Sequence, residues 1–65
     1  MNRSEQLKVW NDALAKANVT AASYRRSATL AYENGNFPLA DRLTRLAEMH
    51  DTEQAYLNSL IATSA

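Results

Sequence analysis

The sequence has no cysteine, only one glycine and one proline, and no net charge. Without cysteine the chain can form neither a disulfide nor a thiolate metal site. Seven Lys and Arg residues balance seven Asp and Glu residues, which argues against bulk electrostatic capture of nucleic acid or of an anionic membrane. No apolar run approaches the ~20 residues of a membrane span, and the first residues are not typical of a signal peptide. We therefore expect a cytoplasmic protein, of bacterial or bacteriophage origin, that does not interact with membranes.

The hydrophobic residues that are present favour helices. Twelve of the 65 residues are Ala and eight are Leu, whereas Val, Ile and Phe together number four. Ala and Leu are strong helix formers, while the other three favour strands. A chain of this length buries only about 60% of its unfolded surface. The composition therefore predicts one all-α domain over residues 1–65, with close contacts between helices.

One segment interrupts the helical pattern, and it holds both the single glycine and the single proline. Gly35 suits the left-handed residue that ends a helix, Asn36 suits an N-cap, and Pro38 fits the first turn of the next helix. We therefore predict a helical hairpin with its turn at residues 34–37.

The first arm of the hairpin is predicted over about residues 4–34. Asn2, with Glu5 three residues later, resembles a capping box, although Ser4 is an alternative cap. Apolar residues follow at the three-four spacing of a heptad seam, namely Leu7, Trp10, Leu14, Ala17, Ala21, Tyr24, Ala28 and Ala31. Weak helix formers at Asn18 and beyond leave two alternatives, one continuous helix or two helices broken near Asn18.

The second arm is predicted over about residues 37–62, and two faces compete for its seam. The first face keeps the heptad spacing but includes two polar residues: Leu39, Leu43, Leu46, His50, Glu53, Leu57 and Leu60. The second avoids those polar residues by a small phase shift: Ala40, Leu43, Ala47, Met49, Tyr56 and Leu60. We expect this helix to bend, shift register or break near residues 49–53.

The predicted arms are too long for one hairpin to form a globule. Each arm offers an apolar stripe to its mate, and the outer flank of that stripe stays open. Residues 1–34 carry five basic and three acidic groups, whereas residues 35–65 carry two and four, which favours antiparallel pairing of the arms. We expect the hairpin to form a homodimer as a four-helix bundle.

No group of residues in the sequence is typical of an enzyme. The single histidine, His50, has Glu48, Asp51 and Glu53 near it, but a metal site needs three or four convergent ligands and one helix supplies too few. Nothing positions a nucleophile with its base, and one glycine cannot form a phosphate-binding loop. We therefore predict no catalytic residue, no metal and no cofactor.

Two sets of residues are candidates for binding. An aromatic and leucine stripe is the expected docking face for a partner helix, and its members are Trp10, Leu14, Tyr24 and Leu43. Trp10 suits either this role or a core contact. The second set is Arg25, Arg26, Arg42 and Arg45. With the turn at Gly35, residues 25–28 should lie opposite residues 42–46, so the arginines would share one end and could bind phosphate. The alternative is solvated helix faces, with Arg45 paired to Asp41 and to Glu48.

Two family resemblances bear on function. The segment from Tyr24 to Asp51 resembles a single tetratricopeptide-type helical hairpin in Tyr24, Ala28, the Gly35-Asn36-Phe37 turn, Ala40 and Ala47. Residues 28–40 are similar to the ANR-type small bacterial proteins, which also carry a Glu-x-Gly-x-aromatic turn followed by an Ala-rich helix. Members of that family bind and restrain AraC/XylS-type transcriptional activators. The resemblance implies a small regulatory or adaptor protein acting by protein–protein interaction; the alternative is an RNA- or DNA-binding helical-bundle protein of plasmid or phage origin, using the four arginines.

Overall fold

The computed structural model describes residues 2–64, which form two antiparallel helices joined by a short turn. Helix α1 spans Arg3–Glu33 and helix α2 spans Phe37–Ser64. The hairpin is a rod with dimensions of 49 × 14 × 14 Å, and the part of the chain described contains no strand. The predicted all-α helical hairpin is confirmed.

Side chains and backbone groups define both ends of α1. At its start, the backbone N–H of Glu5 donates to Oδ1 of Asn2 at 2.8 Å, so Asn2 rather than Ser4 is the N-cap. At its end, Gly35 has a φ of 79° and lies in the left-handed region. The backbone N–H of Asn36 donates to the carbonyl of Ala31 at 2.8 Å, which closes the turn in the way typical of helices that end at glycine.

Helix α1 runs unbroken through Asn18, so the alternative of two helices is wrong. Asn18 and Val19 are exposed, while Ala17 and Ala21 on either side of them are buried against α2. Weak helix propensity amounts to a few tenths of a kcal/mol per residue, and tertiary packing of this face offsets it. All eight residues of the predicted α1 seam are buried or half-buried.

Helix α2 also continues without interruption, and its seam combines parts of both predicted faces. The buried and half-buried residues at heptad spacing are Ala40, Leu43, Ala47, His50, Gln54, Leu57 and Ile61. Of the alternatives of a bend, a register shift or a break near residues 49–53, the break does not occur and the seam keeps its heptad spacing, because Gln54 rather than Glu53 faces α1 and the ring of His50 packs on α1. Four residues assigned to the seam are instead exposed: Leu39, Met49, Glu53 and Tyr56.

The core between the helices consists mainly of alanine. Its buried members are Ala17, Ala21, Ala28, Ala31, Ala40, Ala47 and Leu57. Small side chains in the seam let two helices pack at a short interaxial distance, but they bury little apolar area. Neither described helix contains a stretch that is long and apolar enough to cross a membrane.

Candidate protein-binding surface

Two contacts across the hairpin fix which residues of α1 and α2 lie at the same level. The rings of Tyr24 and His50 stack with their centroids 5.8 Å apart and their planes 17° apart. The guanidinium of Arg25 forms an ion pair with the carboxylate of Asp51. Because the helices are antiparallel, moving seven residues toward the turn on both helices leads to another pair at the same level. Ala31, seven residues after Tyr24, therefore lies level with Leu43, seven residues before His50.

The four predicted partner-binding residues lie along the seam between the helices. Trp10, Leu14, Tyr24 and Leu43 are all half-buried, so each packs between the helices and leaves an edge at the surface. From Trp10 to the level of Leu43 is about 30 Å along α1 at ~1.5 Å per residue. The structure therefore does not bring these residues together into one patch.

The four arginines do not meet at one level of the hairpin. Arg25 lies level with Asp51, about one turn away from the expected position opposite residues 42–46. Arg45 and Arg42 are six and nine residues nearer the turn, which is ~9 and ~13 Å along the helix. Arg45 is paired with Asp41 at 2.8 Å, and the expected pair of Arg45 with Glu48 is not among the ion pairs of residues 2–64.

The side of the hairpin that carries the Arg25–Asp51 pair is mainly polar; we call it the polar side. At heptad spacing it presents Asn11, Asn18, Arg25, Thr44, Asp51 and Asn58. Near the turn it holds a shallow groove of about 420 Å³, which we call the turn-end groove, lined by Arg25, Ala28, Thr29, Tyr32, Ala40 and Thr44. Next to this groove the rings of Tyr32 and Phe37 meet edge to face at 5.1 Å.

Sequence reasoning missed the turn-end aromatic pair as a binding feature. Tyr32 is 65% exposed and Phe37 is 56% exposed, so two large rings lie in solvent at one end of the rod. The signal was present in the sequence, because both rings flank the single glycine. What could not be predicted was the edge-to-face contact that places Phe37 of α2 beside Tyr32 on this side.

The opposite side of the hairpin is apolar along α2. This apolar side consists of Leu39, Leu46, Met49, Tyr56 and Leu60. Met49 and Tyr56 are 66% and 64% exposed, whereas Leu46 and Leu60 are half-buried against α1. Helix α1 contributes small or short residues to this flank, namely Ala13, Thr20 and Ser27. A second apolar stripe of α2 therefore lies outside the core of the hairpin.

No protein-family model, curated protein or solved structure matches the chain. Within residues 2–64 no three metal-ligating side chains of His, Asp or Glu come together. What the molecule can do is therefore inferred from its two exposed surfaces.

Proposed function

We propose that this protein is a small non-enzymatic regulator or adaptor that acts as a homodimer in the cytoplasm by binding another protein, a bacterial transcriptional activator. One observation carries the proposal: among residues 2–64 the core of the hairpin buries a single large apolar side chain, Leu57, while eight large apolar side chains are exposed. Single exposed apolar residues are ordinary, but contiguous apolar patches mark sites of association.

Five of these exposed residues fall on two sides of the rod, Leu39, Met49 and Tyr56 on the apolar side and Tyr32 and Phe37 beside the turn-end groove, which suits a molecule that contacts two partners. The apolar side runs along α2 from Leu39 to Leu60 and suits a second copy of the chain. The turn-end groove is lined by Tyr32 and Arg25, with Phe37 next to it against Tyr32, and Tyr and Arg are enriched among residues that dominate binding energy. An amphipathic helix of the activator would lay its apolar face into this groove.

The resemblance to the ANR-type proteins supports the choice of an activator as the partner. The residues that carry it, Glu33, Gly35 and Phe37, lie at the turn, and Phe37 contacts Tyr32 of the turn-end groove. A protein bound there would cover a surface of the activator and restrain it without any chemical step.

A reporter assay tests this function. The protein is expressed beside an AraC/XylS-type activator, and reporter output is compared for the wild type, the double variant Tyr32→Ala/Phe37→Ala and the control Val19→Ala. Val19 is an equally exposed apolar residue on the outer surface of α1. We expect the double variant to lose the restraint and the control to retain it, with helix content by circular dichroism unchanged in both.

The nucleic-acid alternative has one observation in its favour, because Arg26 and Arg42 are exposed and take part in none of the ion pairs of residues 2–64. Binding to phosphates weakens steeply with added salt, whereas an apolar protein interface does not. Two results together would replace the protein-binding proposal with this alternative. The first is a salt-sensitive shift of labelled RNA or DNA that disappears in Arg26→Ala/Arg42→Ala. The second is unchanged regulation of the reporter by Tyr32→Ala/Phe37→Ala.

A further inference from the structure

We infer that a second copy of the chain covers the apolar side, with the α2 helices of the two protomers packed antiparallel about a two-fold axis near residues 47–48. This assigns the interface of the homodimer in the proposed function, and it leaves the turn-end groove open for the activator. Three independent features of the hairpin support it: its surface area, the pattern of side chains on the apolar side and the polar character of the opposite side.

The surface area of the hairpin is large for its mass. A compact monomer of 7.2 kDa exposes about 4,100 Å² by the usual scaling with mass, whereas this chain exposes 4760 Å². One side of a 49 by 14 Å rod has a projected area of about 700 Å², close to the ~800 Å² that each partner contributes to a standard stable interface. One side of the rod is therefore sufficient for a stable dimer.

The side chains of the apolar side are complementary to themselves when two copies run antiparallel. With two polar members, Arg42 and Glu53, the stripe keeps an unbroken three-four spacing: Leu39, Arg42, Leu46, Met49, Glu53, Tyr56 and Leu60. When Leu46 is level with the partner's Met49, Leu39 is level with the partner's Tyr56. In the same register Arg42 is level with the partner's Glu53.

This register is the one in which apolar residues meet apolar residues and opposite charges meet. A shift of one turn in one direction places Leu46 against the partner's Glu53, and a shift of one turn in the other direction places Leu39 against the partner's Glu53. Both arrangements bury a charged group against a leucine, which is unfavourable. Charge complementarity of this kind fixes register and excludes wrong arrangements.

The polar side does not suit a second copy in the same way. Its asparagines and threonines, together with the Arg25–Asp51 pair, would lose water on association without an apolar contact to compensate. On the apolar side, by contrast, α1 presents the short side chains of Ala13, Thr20 and Ser27, which leave room for a helix of the partner to approach.

A charge exchange tests both the interface and its register. The dissociation constant of the dimer is measured by sedimentation equilibrium for Arg42→Glu, Glu53→Arg and the double variant. Each single change puts two like-charge contacts into the dimer, and we expect dissociation constants about ten-fold higher. The double change exchanges the charges and should bring the constant back to within about three-fold of the wild type. Both residues are exposed in the hairpin, and circular dichroism of each variant monitors its helix content.

Single-cysteine variants provide a second measurement, because the chain has no cysteine of its own. In the inferred register two copies of Met49 lie ~4.5 Å apart along the helix axis, so Met49→Cys should yield a covalent dimer with a short bismaleimide. The control Val19→Cys, on the outer surface of α1, should remain monomeric in the same reaction.

The outcomes separate this inference from the proposed function. Three results would overturn the interface. The first is a wild type that stays monomeric with full helix content, and the second is a double variant whose dissociation constant is as high as those of the single variants. The third is cross-linking of Val19→Cys but not of Met49→Cys. Loss of regulation in Tyr32→Ala/Phe37→Ala would leave the interface untouched. Conversely, a confirmed dimer whose regulation survives the change of both rings would refute the turn-end groove as the activator site and keep the interface.

Discussion

Replacing Leu57 by Ala tests the core of the hairpin, because Leu57 is the one large side chain among the buried residues of positions 2–64. Leu57 is 8% exposed, so the change removes almost the full burial energy of three carbon atoms, about 2.4 kcal/mol at ~0.8 kcal/mol per carbon. The cavity left behind adds to this, and Leu→Ala changes in cores range over about 2.7–5 kcal/mol. A thin two-helix rod can partly collapse around the cavity, so we expect a loss near the lower end, about 3 kcal/mol.

The control is Leu30→Ala, the same chemical change at a residue of α1 that is 59% exposed. Less than half of the burial energy is at stake there and no cavity forms, so we expect a loss of about 1 kcal/mol or less. Urea unfolding followed by circular dichroism gives both free energies of unfolding. Since a domain of this size has only about 3–10 kcal/mol of stability, Leu57→Ala should unfold at a much lower urea concentration. Equal midpoints for the two variants would refute the assignment of Leu57 to the core.

Two further predictions concern the turn and the charged surface. Gly35→Ala should lower the free energy of unfolding by about 1 kcal/mol. Backbone strain alone causes this loss, because Gly35 has a φ of 79° and an added Cβ meets no atom within 4 Å. An unchanged urea midpoint would argue against the left-handed turn. Arg25→Ala/Arg26→Ala should change the free energy of unfolding by less than about 1 kcal/mol, because the ion pair of Arg25 with Asp51 is solvent-exposed. A larger loss in the same unfolding experiment would show that this pair holds the helices together.

The turn and the seam of α1 were predictable because local chemistry decides them. Gly35 is the only residue able to adopt a positive φ without strain, and its neighbours leave no other place for the turn. In α1 four large apolar residues share one stripe with four alanines, whereas Val9, Val19 and Leu30 lie singly outside it, so a single face qualifies for burial. The residues near Asn18 did not break the helix, because packing on both sides of them outweighs a small difference in propensity.

The seam of α2 could not be predicted because this helix has two apolar stripes. Leu39, Met49 and Tyr56 are larger and more hydrophobic than Ala40 and Ala47, yet the alanines are buried. Close approach to the alanine-rich stripe of α1 favours small residues on α2, and that preference depends on the partner helix rather than on α2 itself. The side chains displaced from the core in this way form part of the apolar side, so the hydrophobic pattern alone places residues of the inferred interface in the core.

The arginines were misplaced for a related reason. The position of the turn determines which residues are roughly opposite, but the exact level depends on how the two helices slide to fit their seams. The contact of Arg25 with Asp51 shows an offset of about one turn, enough to separate charges that the sequence pattern had placed together.

The central claim is that this alanine-cored hairpin is completed by a second copy of itself, and the concentration dependence of its melting temperature tests that claim most directly. Folding coupled to dimerisation makes the melting temperature rise with protein concentration. With an unfolding enthalpy of ~0.7 kcal/mol per residue, a hundred-fold increase in concentration, from about 1 to about 100 μM, should raise it by about 10 °C. A melting temperature that stays constant over this range, with full helix content at the lowest concentration, would contradict the account.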